Sequence, residues 1–166
     1  MPPESATVQS SIVTGPVMEA WQRLLRANCV VMAELDRELR EAHGITISDY
    51  DVLIQLRDAE NGCLRMSDLS RRTLLSRSGM TRLVQGLEAD GFVSRRRCDN
   101  DQRSFYAALT DLGAERLESA RCTHHRGIRR VFADYFEEDA AEQLSELLGR
   151  IPRVAGGQGA CPSEQP

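Results

Sequence analysis

Apolar residues recur at three- and four-residue steps through Val17, Trp21, Leu24, Val31, Leu35 and Leu39, with Asn28 in the same stripe. That spacing predicts one long amphipathic helix ending near Gly44. Ser48 is placed to cap a second helix, with Asp49 and Asp51 in its first turn and Val52, Leu53 and Leu56 facing inward, closed by Asn61-Gly62. Cys63-Leu64-Arg65 reads as a short extended piece, and Ser67 as the cap of a short helix carrying Leu69. Ser76 caps the next helix, whose Met80, Leu83, Val84 and Leu87 form one apolar stripe before Gly91 stops it. Residues 92–98 and 104–109 read as strands, the second with Phe105, Ala107 and Leu109 on one face. The tip between them, Asp99-Asn100-Asp101-Gln102, has a turn composition. Thr110 caps a further long helix containing Leu117, Ile128, Val131, Phe132 and Tyr135, and a last helix runs through Leu144, Leu147, Leu148 and Ile151. No segment repeats at a fixed period.

The order is long helix, helix, short strand, two helices, two strands, long helix, helix. This predicts a mainly α fold: a winged helix-turn-helix between long N- and C-terminal helices. The expected organisation is a flexible arm over 1–15, one domain over 16–154 and a disordered tail over 155–166. Within the domain, residues 48–110 form the expected winged helix-turn-helix core. The helices at 17–40 and 111–152 carry apolar stripes that so small a module leaves without partners, which makes a helical homodimer the economical solution.

Composition narrows the class. With 166 residues, 41% hydrophobic and 28% charged, the chain has enough material for a hydrophobic core of its own. No apolar run reaches the roughly 20 residues of a membrane span. The first residues lack the pattern of a secretion signal, so a cytoplasmic location with no membrane partner is expected. Five Cys at irregular spacing (29, 63, 98, 122 and 161) then read as reduced thiols.

The formal charge of -4 argues against a nucleic-acid partner, but the average hides a pattern. All 21 basic residues are Arg, and nine of them fall within residues 64–106 beside only five acids. A locally basic module inside an acidic scaffold is an electrostatic footprint for DNA.

The helix that starts at Ser76 is the element of interest. With its apolar stripe inward, Arg77, Ser78, Thr81, Arg82 and Gln85 occupy the opposite face. Arg suits guanine edges and phosphates, Gln suits adenine, and the hydroxyls suit either. Gly79 lowers helix propensity and leaves room for a close approach by the preceding helix. The plainer reading is a solvated polar face. The hairpin shifts the balance, because Arg95, Arg96 and Arg97 precede its tip and Arg103 follows it. A basic two-stranded wing can straddle a backbone with an Arg in the minor groove. The alternative is a charged edge strand protected from aggregation. Asp101, two residues before Arg103, is placed to orient an Arg by a charge-assisted bond.

These residues resemble the MarR family of bacterial transcription regulators. The resemblance rests on Leu69, the run SRSGMTRLVQGLEADGFV at 76–93, Asp101-Gln102-Arg103, and Leu109-Thr110 with Gly113. It extends more weakly over residues 17–151. Gln102 departs from a frequent Arg, and Ser70 from a small apolar residue. The resemblance implies a cytosolic homodimer whose recognition helices enter major grooves and whose wing tips place Arg103 in the minor groove, with Arg96, Arg97 and Gln102 nearby. It further implies repression from a pseudo-palindromic operator, released by a small phenolic ligand near the dimer cleft or by oxidation of a Cys.

The implied effector pocket lies between the first helices and the winged module, which makes Trp21, Asn28, His43 and Tyr50 its candidates. Trp21 on an apolar stripe is more often a core residue than a ligand contact. Cys29 is the candidate redox thiol, with Arg26 one turn away, although it is mid-helix. Cys122, His124 and His125 suggest metal at first sight, but neighbours on a helix point about 100° apart, and no metal site is expected. There is no nucleophile elbow and no Gly-rich phosphate loop, so neither an enzyme nor a resident cofactor is expected. A winged helix that binds a protein instead of DNA remains the other class.

Overall fold

The structure, a computed structural model, describes residues 13–59, 62–73, 76–98 and 101–151; of residues 77, 96–98 and 101–104 it describes the backbone alone. The expected tail over 155–166 and most of the expected arm lie outside the described residues, as do Asp99 and Asn100 of the hairpin tip.

Helix α1 (Pro16–His43) begins with Pro in its first turn and ends where Gly44 turns left-handed at φ 68°. Its first half is largely exposed among the described residues: Val17 is 66% exposed and Trp21 53%, while Leu35 and Leu39 are buried. Helix α2 (Ile47–Arg57) is capped two residues before the expected Ser48. Thr46 is the cap, its hydroxyl accepting from the Asp49 amide at 2.9 Å while the Asp49 carboxylate accepts from the Thr46 amide at 2.8 Å. This reciprocal capping box satisfies two amides at once, which a lone Ser48 does not do. Asp36 ties the two helices together by accepting from the Ile47 amide at 2.9 Å and from Arg40 at 2.6 Å. Burial works against its charge, but these hydrogen bonds outweigh it and hold its carboxyl below the ordinary value.

Strand β1 (Cys63–Arg65) leads directly into α3 (Met66–Arg72), so Ser67 lies inside the helix and is not its cap. Helix α4 (Arg77–Ala89) is capped by Ser76, whose hydroxyl accepts from the Gly79 amide at 3.1 Å. Strands β2 (Val93–Cys98) and β3 (Asp101–Leu109) form the hairpin, and β1 adds to its far edge, giving an antiparallel sheet ordered β1-β3-β2. The second hairpin strand begins at Asp101, three residues before the expected 104, because pairing resumes at Cys98↔Asp101 after a register shift between Arg97 and Cys98.

Thr110 caps α5 (Asp111–Val131) as expected. The helix ends before the expected Phe132 and Tyr135: Phe132 leaves helical geometry, and Ala133–Tyr135 make one 3-10 turn. Helix α6 (Glu138–Gly149) follows, with Ile151 beyond its end. The apolar period continues across the break, so spacing alone does not reveal it.

Leu39, Ile45, Val52, Leu53, Leu56, Leu69, Met80, Val84, Leu87 and Leu117 form one core, to which α1, α2, α3, α4 and α5 all contribute. α1 and α5 run antiparallel, joined by Arg130 to Glu38 at 2.7 Å and by His43, at the end of α1, to Thr123 at 2.9 Å. Among the described residues, no helix is long and apolar enough to cross a membrane.

Candidate nucleic-acid interface

The apolar stripe of α4 fixes what its other face presents. Met80, Val84 and Leu87 are fully buried, and Leu83 packs against the same core. Ser78, Arg82 and Gln85 are exposed on the outer side, with Thr81 half-buried between them. The Arg77 side chain lies outside the described residues. The first turn of α4 contains no acid, so its amide end is not neutralised by a side chain of its own. Gly79 does not serve a close helix approach: among the described residues, the only atom a side chain there would meet is the Ser76 hydroxyl.

The hairpin follows α4 after one tight turn, in which Gly91 has φ 78° and the Phe92 amide donates to the Leu87 carbonyl at 2.9 Å. Its backbone register puts Arg96 opposite Tyr106 and Arg97 opposite Phe105. The side chains of Arg96, Arg97, Asp101, Gln102 and Arg103 lie outside the described residues, so the orienting role expected for Asp101 does too. The described β3 backbone nevertheless carries residues 101–103 at the far end of the hairpin from the core. At the base of the hairpin, Thr110 donates from its hydroxyl to the Gly91 carbonyl at 2.7 Å. Arg116 stacks on Phe92, 5.2 Å from the ring centroid, and donates to the His43 carbonyl at 2.7 Å.

A second feature is a cleft of about 410 Å³ between α1, α2, the end of α3 and α5. Met32, Leu35, Ile47 and Ile54 supply apolar walls, and Ser48, Asp51, Arg72, Thr73 and His124 supply polar groups. Of the four candidates for an effector pocket, only Tyr50 lines this cleft. Trp21 and Asn28 are exposed on the first half of α1. His43 is committed to Thr123. Cys29 is exposed on α1 and does not line the cleft.

His124 is one of the cleft residues that the spacing did not single out for this role. It packs on Tyr50 with ring centroids 4.4 Å apart, and its Nδ1 is buried with no hydrogen-bond partner among the described residues. The signal was available, because residue 124 continues the buried stripe of Leu117 and Ala120. His125 turns outward, its ring 6.0 Å away. Burial pushes the His124 imidazole below its ordinary value, and His125 adds to the shift. Burial raises the Tyr50 phenol and the Asp51 carboxyl.

This architecture has known counterparts. The profile of the MarR family matches residues 43–104, from the end of α1 into the hairpin. The transcriptional repressor MprA of Escherichia coli K12 is 30% identical over 126 residues, covering 74% of this chain and 72% of MprA. The regulator PrsX of Escherichia coli is 35% identical over 129 residues, covering 78% and 76%. Among solved structures, Streptomyces coelicolor AbsC superposes with a TM-score of 0.78 at 29% identity, covering 89% of this chain and 99% of AbsC. Sco3205 from the same organism, solved in complex with DNA, gives 0.79 at 28% identity and covers 93% and 94%. With a polar recognition-type helix, a basic hairpin and these similarities in hand, the chain belongs to the MarR family of transcriptional regulators.

Proposed function

We propose that this protein is a sequence-specific double-stranded DNA-binding repressor. It acts as a cytoplasmic homodimer and leaves its operator when a small aromatic or phenolic effector binds. The observation that carries this reading is α4: one face packs on the core through buried Met80, Val84 and Leu87 and partly buried Leu83, and the other presents Ser78, Arg82 and Gln85 to solvent directly beside an Arg-rich hairpin. In this reading Arg77, Ser78, Thr81, Arg82 and Gln85 meet the major groove, and Arg96, Arg97, Gln102 and Arg103 meet the backbone and minor groove. The DNA-bound relative Sco3205 and the repressor MprA support the assignment.

The exposed apolar residues of α1, and Phe132, Tyr135, Phe136 and Leu147 near the other end of the chain, support a dimer built from residues 17–40 and 111–152. A dimer holds two recognition helices at the fixed spacing that a pseudo-palindrome needs. The cleft supports the effector reading, since its volume and mixed lining suit a small organic molecule. Arg72 closes α3, the helix just before the recognition helix, so a ligand held there favours one orientation of α4 over another.

A gel shift against the DNA upstream of the protein's own gene, run across a salt series, tests the reading. Salt-sensitive binding that survives excess unrelated duplex supports it; binding that competitor abolishes at every upstream segment counts against it.

A further inference from the structure

Arg95 belongs to the Arg run of the hairpin, yet it is turned inward. In β2 it pairs with Ala107, and it lies on the same face of the strand as the buried Val93. Its guanidinium lies over the Phe105 ring, 5.4 Å from the centroid. Its Nε is 3.3 Å from Glu88 Oε2, a charge contact without hydrogen-bond alignment, and that Nε is shut off from solvent.

Glu88 is the other half of the contact. It lies in the last turn of α4, where the negative end of the helix dipole disfavours an acid, and that turn has no basic residue of its own. On a DNA-facing module, phosphates repel the same carboxylate. Arg95 offsets both effects, and the contact spans from the recognition helix to the first strand of the wing.

We propose that Glu88, Arg95 and Phe105 form a strut that sets the angle of the wing to the recognition helix. Arg95 is then a positioning residue and not a DNA contact. The proposal rests on the DNA-binding reading above. It makes a prediction opposite in sign to plain electrostatics: removing the Glu88 charge makes the protein more positive, which by itself tightens DNA binding, whereas loss of the strut weakens it.

The test uses a duplex enriched by the wild-type full-length protein from a randomised library, with affinities measured across a salt series. Glu88→Gln is expected to weaken binding roughly three- to fivefold, the range of a partly exposed ion pair. Arg95→Met is expected to weaken it by a similar factor with an unchanged salt slope, and the exchange Glu88→Arg with Arg95→Glu to recover most of the loss. Thermal denaturation checks that each variant is folded. Glu88→Gln is the mildest of them and keeps the shape of the side chain. Equal or tighter binding by Glu88→Gln overturns the strut. So does a salt slope shallower by about one in Arg95→Met, which marks a direct phosphate contact. Failure of the wild-type protein to enrich any duplex instead overturns the DNA-binding reading itself.

Discussion

Gly113, in the first turn of α5, lies against the carbonyl oxygen of Phe92, the residue that opens the wing. A methyl group at residue 113 would collide with that oxygen and come within 2.9 Å of Leu109 Cδ1. The same carbonyl accepts from the Thr110 amide at 3.1 Å, so the base of the hairpin and the start of α5 share one backbone junction.

Gly113→Ala is therefore expected to destabilise the protein by about 2–4 kcal/mol, because backbone must shift to admit the methyl. Gly127→Ala meets Leu35 Cδ2 at 2.6 Å and Glu38 Oε2 at 2.7 Å, the ends of side chains that can rotate away. Its cost should be nearer 1 kcal/mol. Denaturant midpoints of the two variants compare them directly, and equal losses would contradict the junction.

Stability should fall as pH drops through 6.5. His43 and His124 are both held below that ordinary value, in each case by burial first, with Arg116 adding at His43 and His125 at His124. The unfolded chain then binds protons before the folded one does, so stability increases with pH through the window just below 6.5. Asp51, raised above 3.8 by burial against a hydrogen bond from Gln55, acts in the opposite direction at lower pH. Melting curves from about pH 7.5 to 5.5 should show the loss, with a smaller drop in His124→Gln; an identical drop would remove His124 from the account.

The exposed first half of α1 predicts an assembly. Trp21, 53% exposed on a helix with few internal contacts there, is expected to be buried between two chains. Sedimentation should show a dimer at micromolar concentration, and Trp21→Glu should shift it towards monomer by placing a charge in an apolar contact. A wild-type monomer would rule out the paired-helix mode of reading DNA.

Arg103→Ala is expected to cost about 1–3 kcal/mol of affinity for a selected duplex, with a shallower salt slope if a phosphate contact is lost. Unchanged binding would remove the wing tip from the interface.

Much of the fold was legible because its elements obey local rules. Met80, Leu83, Val84 and Leu87 identified the buried face of α4 by spacing alone, and Ser76 and Thr110 were readable as caps. The misplacements have physical causes. Thr46 displaced Ser48 because capping depends on a reciprocal partner, Asp49. α5 broke at Phe132 although the apolar period ran on to Tyr135. The cleft was harder to read than the interface, since it gathers Met32, Tyr50, Arg72 and His124 from four elements. Trp21, prominent in the sequence, is exposed near the start of α1 and away from the cleft, whereas His124 became part of the cleft only through the packing of α5 against α2.

In a dimer of this fold, two copies of α4 are expected to read one duplex. Selection from a randomised DNA library with the full-length protein is the decisive experiment. The expected result is an enriched pseudo-palindrome with half-site centres about one helical turn apart, occupied by two chains. Recovery of unrelated sequences with no shared half-site, or of a single half-site bound by one chain, would contradict it.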